Sequence, residues 1–183
     1  MSEDLSDKEL MERFRNLDTR NYSFNLLIRK YQKKVYWQVR RMVISHDDAN
    51  DVTQETFVKV WKHLDHFKEE SQLFTWIYRI AINESISFLR KKRTKFFLPM
   101  VDVENSLSNS LKDDNFFSAD EIQLKLQKAI LKLPEKQRIV FNLRYYDEMK
   151  YEEMSEILGT SEGALKASYH HAVKKVEDYL KNN

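Results

Sequence analysis

Three groups of side chains in this sequence have the types and spacing to do chemistry or to hold a charged partner. In DDANDVTQETFVKVWKHL, Asp47, Asp48, Asp51, Gln54 and Glu55 recur at helical intervals. At 100° per residue they fall within about 120° of helix surface. Grouped carboxylates suit metal coordination, acid–base exchange or recognition of a basic surface. No His joins them at ligand spacing, His63 and His66 stand apart as a pair, and Cys is absent. A metal or catalytic set therefore lacks its remaining members. Acids on a solvated face, or in a first helical turn, need no partner at all. Val58, however, lies in the middle of the acidic arc, where solvation alone would not place it. An apolar residue ringed by acids and an amide is the pattern of an interface centre with a polar rim. Asp48, Asp51, Gln54, Glu55 and Val58 are the candidate protein-binding residues.

The second group lies in FTWIYRIAINESISFLRKKR. Trp76, Arg79, Asn83, Ser87 and Arg90 share one helical side, opposite Phe74, Ile77, Ala81 and Phe88. Trp76 and Tyr78 could simply be core residues. A face that combines an aromatic ring, an amide and guanidinium groups also suits unstacked bases, which need π surfaces and edge hydrogen bonds. The third group is Lys166, His170 and Lys174, spaced by four on the side of a helix opposite apolar Leu165, Tyr169, Ala172 and Val176. Before it, Gly159 permits a turn and Ser161 is placed to cap. This is the helix-turn-helix arrangement, with a basic outer face suited to a major groove. A helical hairpin packed for its own sake shares the same apolar pattern.

The elements that must position these groups are all helical. The chain has 183 residues, of which 42% are hydrophobic, with 2 Gly and 2 Pro. That composition supports a core but supplies few hairpin turns. Ser6 with Glu9 forms a capping box for a first short helix. Helices are expected at about Arg20 to Val43, His46 to Leu64 and Leu73 to Arg93. VDVENSLSNSLKDDN breaks the periodicity and reads as an acidic linker. Ser118 with Glu121 suggests a second capping box. Helices should follow at about Ala119–Lys132, Pro134–Tyr146, Tyr151–Leu158 and Glu162–Leu180. The expected architecture is all-α, with two small helical domains, 1–95 and 119–183, joined by a flexible acidic linker over 96–118. Glu84 lies near the apolar side of its helix, and the sequence offers no reason for it.

The acidic N-terminus MSEDLSDKEL is not a signal peptide, and no apolar run approaches the ~20 residues that span a bilayer. The expectation is a soluble, cytoplasmic protein without a cofactor. Net charge is only +2, although RKKRTK at Arg90 to Lys95 is densely basic. A protein living by phosphate contacts alone is usually far more basic.

Two of these stretches resemble one family. LPEKQRIVFNLRYYDEMKYEEMSEILGTSEGALK resembles the fourth region of bacterial sigma factors of the extracytoplasmic-function group, through LPEKQR, YEE, ILGTSEG and LK in order and spacing. The string D-A-x-D-x-x-Q-E-x-F, at Asp48, Ala49, Asp51, Gln54, Glu55 and Phe57, resembles their second region. TWIYRIAIN is similar to the promoter-melting segment, and the loop from His63 to Leu73 to the minus-10 specificity loop, which holds a flipped base in a pocket. The resemblance implies that the acidic helix binds the clamp helices of the largest RNA polymerase subunit, with Phe57 in the core. It implies that Trp76, Arg79, Asn83 and Arg90 meet the minus-10 element, and that Lys166, His170 and Lys174 meet the minus-35 element. Ser168 and His171 stand where the family usually carries arginines, and Lys150 where it often has a capping Ser. Partners implied are core polymerase, promoter DNA and an anti-sigma factor of the membrane-associated kind, with no membrane insertion by this chain.

Energetics agree with a large partner. Opening about a dozen base steps at roughly 1.4 kcal/mol each costs on the order of 15–20 kcal/mol. Stacking returns about 1–3 kcal/mol per base, so one small domain cannot hold a bubble. The rival reading, an autonomous helix-turn-helix regulator, accounts for the C-terminal half alone. An enzyme reading has no constellation behind it.

Overall fold

The computed structural model describes residues 5–95, Leu107, Leu111 and 120–182. Among them are eight α-helices and no strand. The N-terminal set is α1 (Asp7–Arg15), α2 (Arg20–Val43), α3 (His46–His63) and α4 (Leu73–Lys95), with a 3-10 turn at Leu64–His66. The C-terminal set is α5 (Glu121–Leu131), α6 (Glu135–Tyr145), α7 (Tyr151–Leu158) and α8 (Glu162–Asn182). The all-α, two-domain expectation holds. The linker at 96–118 lies outside the described residues except for Leu107 and Leu111, which are buried.

Local chemistry explains most helix starts. The Ser6 hydroxyl accepts the Glu9 N–H, and the Glu9 carboxylate accepts the Ser6 N–H at 2.8 Å, so two orphan donors are satisfied reciprocally. The Ser6 hydroxyl, donating to the Glu9 carboxylate at 2.6 Å, and the Ser6 N–H together hold the Glu9 carboxyl below its ordinary pKa. Ser45 accepts the Asp48 N–H at 3.3 Å to open α3. The cap expected at Ser118 is corrected: Ser118 lies outside the described residues, and α5 begins at Glu121 with Asp120 accepting the Ile122 N–H at 2.9 Å. Pro134 is the N-cap of α6 rather than a residue of its first turn. Glu153 accepts the Lys150 N–H at 3.1 Å at the start of α7. The Lys150 ammonium has no acceptor to offer in return, so only half of a capping box is made.

The connection between α2 and α3 is two residues, Ile44 and Ser45, of which Ile44 is strained. Ile44 has φ 66° and ψ −50°, and the Ser45 N–H donates to the Val43 carbonyl at 2.8 Å. This is the rare γ-turn with a positive φ. Burial of the whole Ile44 side chain offsets strain of about 1–3 kcal/mol.

One continuous apolar cluster runs through both halves. It takes Leu10 and Phe14 from α1, Leu27, Val35 and Val39 from α2, Val60 from α3, and Ile77 and Ala81 from α4. Ile139, Val140, Met154, Ile157 and Leu165 of the C-terminal domain join the same cluster. A second cluster, with Ile130, Leu133, Phe141, Ala172 and Val176, belongs to the C-terminal domain alone. Arg20 ties the far end of the N-terminal domain. Its guanidinium lies 4.1 Å from the Phe14 ring centroid and binds Asp65 through both nitrogens. That pairing lowers the Asp65 carboxyl pKa.

Candidate protein and nucleic-acid interfaces

The acidic helix lies as its periodicity predicts. Ala49, Val52, Thr56, Phe57 and Val60 are buried, while Asp47, Asp51, Gln54 and Glu55 are exposed. Val58 is 43% exposed among them, so the face is an apolar centre within an acid and amide rim. Asp48 differs from its neighbours. Its carboxylate accepts from Lys92 of α4 at 2.8 Å and is half-buried. Glu84 gains its explanation here: Lys59 of α3 donates to it at 2.6 Å. Two ion pairs therefore bind α3 to α4, fixing the acidic face relative to the aromatic helix. His46 beside this face is bonded to Tyr36 and Asn50, at 2.7 and 3.1 Å. Among the described residues no His, Cys, Asp and Glu side chains group as a metal site would.

On α4, Ile77, Tyr78, Ala81 and Ile82 are buried, while Asn83 and Arg90 are exposed and Trp76 and Arg79 are partly so. The Trp76 ring sits 5.3 Å from Phe67. With His66, Phe67, Ser71 and Arg79 it lines a cavity of about 460 Å³ over the loop that precedes α4. Sequence reasoning had no access to what faces this surface. Glu156 of α7 walls the same cavity, and its main-chain carbonyl accepts a hydrogen bond from Arg79. Arg90 lies 3.6 Å from Glu135 of α6. Asn83 and Ile86 line a second cavity, of about 430 Å³, against Ile139, Leu158 and Ser168. The α4 face is brought together as expected, but it meets the other domain.

Deeper in the same seam, Arg41 of α2 pairs with Asp147 at 2.5 Å, both side chains 12% exposed. The Arg41 guanidinium also lies 4.8 Å over the Tyr146 ring. Burial raises the Asp147 carboxyl above its ordinary pKa, with Arg41 opposing the shift. No sequence signal pointed to this pair.

Gly159 closes α7 in the left-handed region at φ 60°, its N–H bonded to the Ser155 carbonyl at 2.9 Å. Ser161 accepts the Ala164 N–H at 3.4 Å, opening α8. Leu165, Ala172 and Val176 point into the core. Lys166, His170 and Lys174 all lie exposed on the outer side. Lys166 is 3.3 Å from Glu162 and 5.4 Å from the Tyr151 ring. His171 is also exposed, whereas Ser168 is half-buried.

With this geometry in view, comparison with known proteins is specific. The pattern described as "Sigma-70 region 2" matches residues 27–95, and "Sigma-70, region 4" matches residues 123–176. The chain is 33% identical to the ECF RNA polymerase sigma-E factor of Escherichia coli strain K12, over 97% of this chain and 96% of that one. It is 31% identical to the protein of that name in Haemophilus influenzae, over 98% of each. Among solved structures it is similar to CnrH, determined in complex with the cytosolic domain of CnrY. The TM-score is 0.70 and identity 22%, covering 97% of this chain and 98% of that one. The sigma factor RpoE from Bartonella quintana, solved with the anti-sigma factor NepR, gives a TM-score of 0.66 at 22% identity, over 86% and 96%. At such identities these two likenesses concern the fold.

Proposed function

The chain belongs to the extracytoplasmic-function sigma factors of the sigma-70 family, alternative sigma factors that direct RNA polymerase to promoters, and we propose how its residues divide that work. Asp51, Gln54, Glu55 and Val58 form the surface that binds core polymerase. Asp48 belongs to that surface and also holds Lys92. Trp76, Arg79, Asn83 and Arg90 recognise and hold the opened minus-10 element, the cavity beside Trp76 being large enough to receive one base. Lys166, His170 and Lys174 meet duplex at the minus-35 element. Residues 1–95 and 119–183 are the corresponding functional units, and 96–118 joins them through a basic polymerase channel.

The observation that carries the reading is the joining of two faces in one domain. A rim of acids surrounds exposed Val58, and two ion pairs lock its helix to the aromatic, basic α4. A duplex-binding regulator has no use for such a coupling. A protein that must open DNA while held by a large partner does. The chain carries no chemistry of its own in this scheme; polymerase supplies it in the cytoplasm. No described helix is long and apolar enough to cross a membrane. Since the similar RpoE of Bartonella quintana is solved with an anti-sigma factor, a membrane-associated anti-sigma factor is the proposed regulator.

In vitro transcription with purified core polymerase on genomic fragments tests the assignment. Discrete start sites that depend on this protein are expected. Footprinting of a promoter by the free protein, at nanomolar concentration and physiological salt, would instead identify an autonomous regulator.

A further inference from the structure

The groups assigned to the minus-10 strand are engaged by the other half of the same chain. Arg79 donates to the Glu156 carbonyl, Arg90 faces Glu135 at 3.6 Å, and Asn83 lines a cavity whose opposite wall is the helix-turn-helix. These contacts resemble what nucleic acid would provide. A carbonyl and a carboxylate oxygen stand where phosphate and base-edge acceptors would lie, and the apolar wall of Ile139 and Leu158 replaces a base plane. We infer that the C-terminal domain is a competing occupant of the minus-10 face, and that the Arg41–Asp147 pair is the latch that keeps it there. This rests on the minus-10 assignment of α4 given above.

The seam has the chemistry of a joint that opens. Its apolar part is continuous with the core and favours closure, while the Arg41–Asp147 pair fixes the closed position. Its polar part is incompletely satisfied: the buried Arg41 Nε, Arg79 Nε and Asp147 Oδ2 have no hydrogen-bond partner among the described residues. A half-satisfied buried network costs more than an apolar core would, so permanent interfaces avoid it. Buried ion pairs likewise contribute specificity of position more readily than net stability. The Arg79 contact to a neutral carbonyl and the 3.6 Å approach of Arg90 to Glu135 are each weaker than a bidentate phosphate contact. Single-stranded DNA therefore outbids the second domain wherever the domains separate. Apparent affinity for that strand falls by the fraction of chains that are open.

Absence of Cys lets the seam be measured directly in the full chain. Spin labels at Lys62→Cys and Asp178→Cys, both exposed positions, report the distance between domains. A single-stranded oligonucleotide carrying the minus-10 non-template strand, from a start site mapped by transcription, reports access. In the free wild-type chain one narrow distance and weak binding are expected. Arg41→Ala should broaden the distance and raise affinity about tenfold, and Arg41→Asp with Asp147→Arg should restore both wild-type values. Glu135→Lys, which leaves the buried pair intact, should raise affinity by a smaller factor through repulsion of Arg90. Unchanged distances in both Arg41→Ala and Glu135→Lys overturn the latch. A broadened distance with unchanged affinity overturns the competition. Adding Trp76→Ala to Arg41→Ala separates the two readings: the gain should disappear. A gain that survives it sinks the minus-10 assignment, while the distance change still records the latch.

Discussion

Lys92 donates to Asp48 at 2.8 Å, joining the basic end of α4 to the first turn of the acidic helix. One carboxylate of the proposed polymerase-binding face is thus already neutralised within the chain, whereas Asp51 and Glu55 project freely. Replacing Asp51 and Glu55 together by Arg should abolish binding to core polymerase and leave the melting temperature nearly unchanged, since exposed substitutions usually move stability by under about 0.5 kcal/mol. Asp48→Asn should weaken polymerase binding less than that pair does and also impair promoter opening by freeing Lys92. A pull-down on core polymerase with calorimetry of each variant checks both. Full affinity in the double Arg variant would refute the acidic surface.

The two helices proposed to face DNA should fail differently. Lys166→Ala or Lys174→Ala should weaken closed-complex formation by holoenzyme and lower its salt dependence by about one unit of slope. Trp76→Ala should spare closed-complex formation but lose permanganate reactivity of unpaired thymines. A template mismatched over the minus-10 bubble should rescue Trp76→Ala in part, because unstacking has been done beforehand, and should help Lys166→Ala less. Equal losses of initial binding, with no gain from the bubble, would show that the helices do not divide the work.

Two backbone features around α7 give opposite stability changes. Lys150→Ser completes the half-made capping box with Glu153 and should stabilise the chain by about 0.5–1 kcal/mol. Gly159→Ala meets nothing within 4 Å of the added methyl, but it places a side chain at φ +60. It should cost about 1 kcal/mol through the backbone alone. Thermal melts of both variants decide the signs.

Stability should fall at alkaline pH. Burial raises the Tyr31 and Tyr78 hydroxyls well above their ordinary value of 10.0, and Tyr146 is pushed up to about 12. These groups stay neutral in the fold and ionise first in the unfolded chain. Above pH 10 the unfolded state therefore binds fewer protons, and stability declines as pH rises toward the folded values. Tyr146→Phe loses the hydrogen bond from Gln127, 2.6 Å long, and should cost about 1 kcal/mol at neutral pH. That deficit should shrink between pH 10 and 12, as read from melting temperatures with tyrosinate absorbance. A deficit constant across the range would argue against the buried hydroxyl.

Much of this was legible because it is local. An apolar residue inside an acidic arc marks Val58, the Gly159–Ser161 turn marks the helix-turn-helix, and periodicity alone buries Phe57 and Leu165. What escaped depends on tertiary neighbours. Arg41 and Asp147 are 106 positions apart, and neither carries a spacing signal. Glu84 looked misplaced because Lys59, its partner, lies on another helix. The Ser118 cap looked sound by spacing, but Ser118 lies outside the described residues and the N-cap of α5 is Asp120. The family resemblance implied which residues of α4 would face DNA, yet it carried no information on what packs against them in this chain.

Ile44 sets the mechanical character of the helix proposed to face polymerase. A two-residue connection centred on a γ-turn has little slack, and its strain is offset while the Ile44 side chain stays in the core. Load applied to α3 by a docking partner therefore cannot be absorbed by a compliant hinge. It passes directly into α2 and, through the Lys59–Glu84 and Lys92–Asp48 pairs, into α4. The γ-turn and the two ion pairs thus couple the three helices, so a displacement at the proposed polymerase contact is passed on to the helix proposed to hold the melted strand.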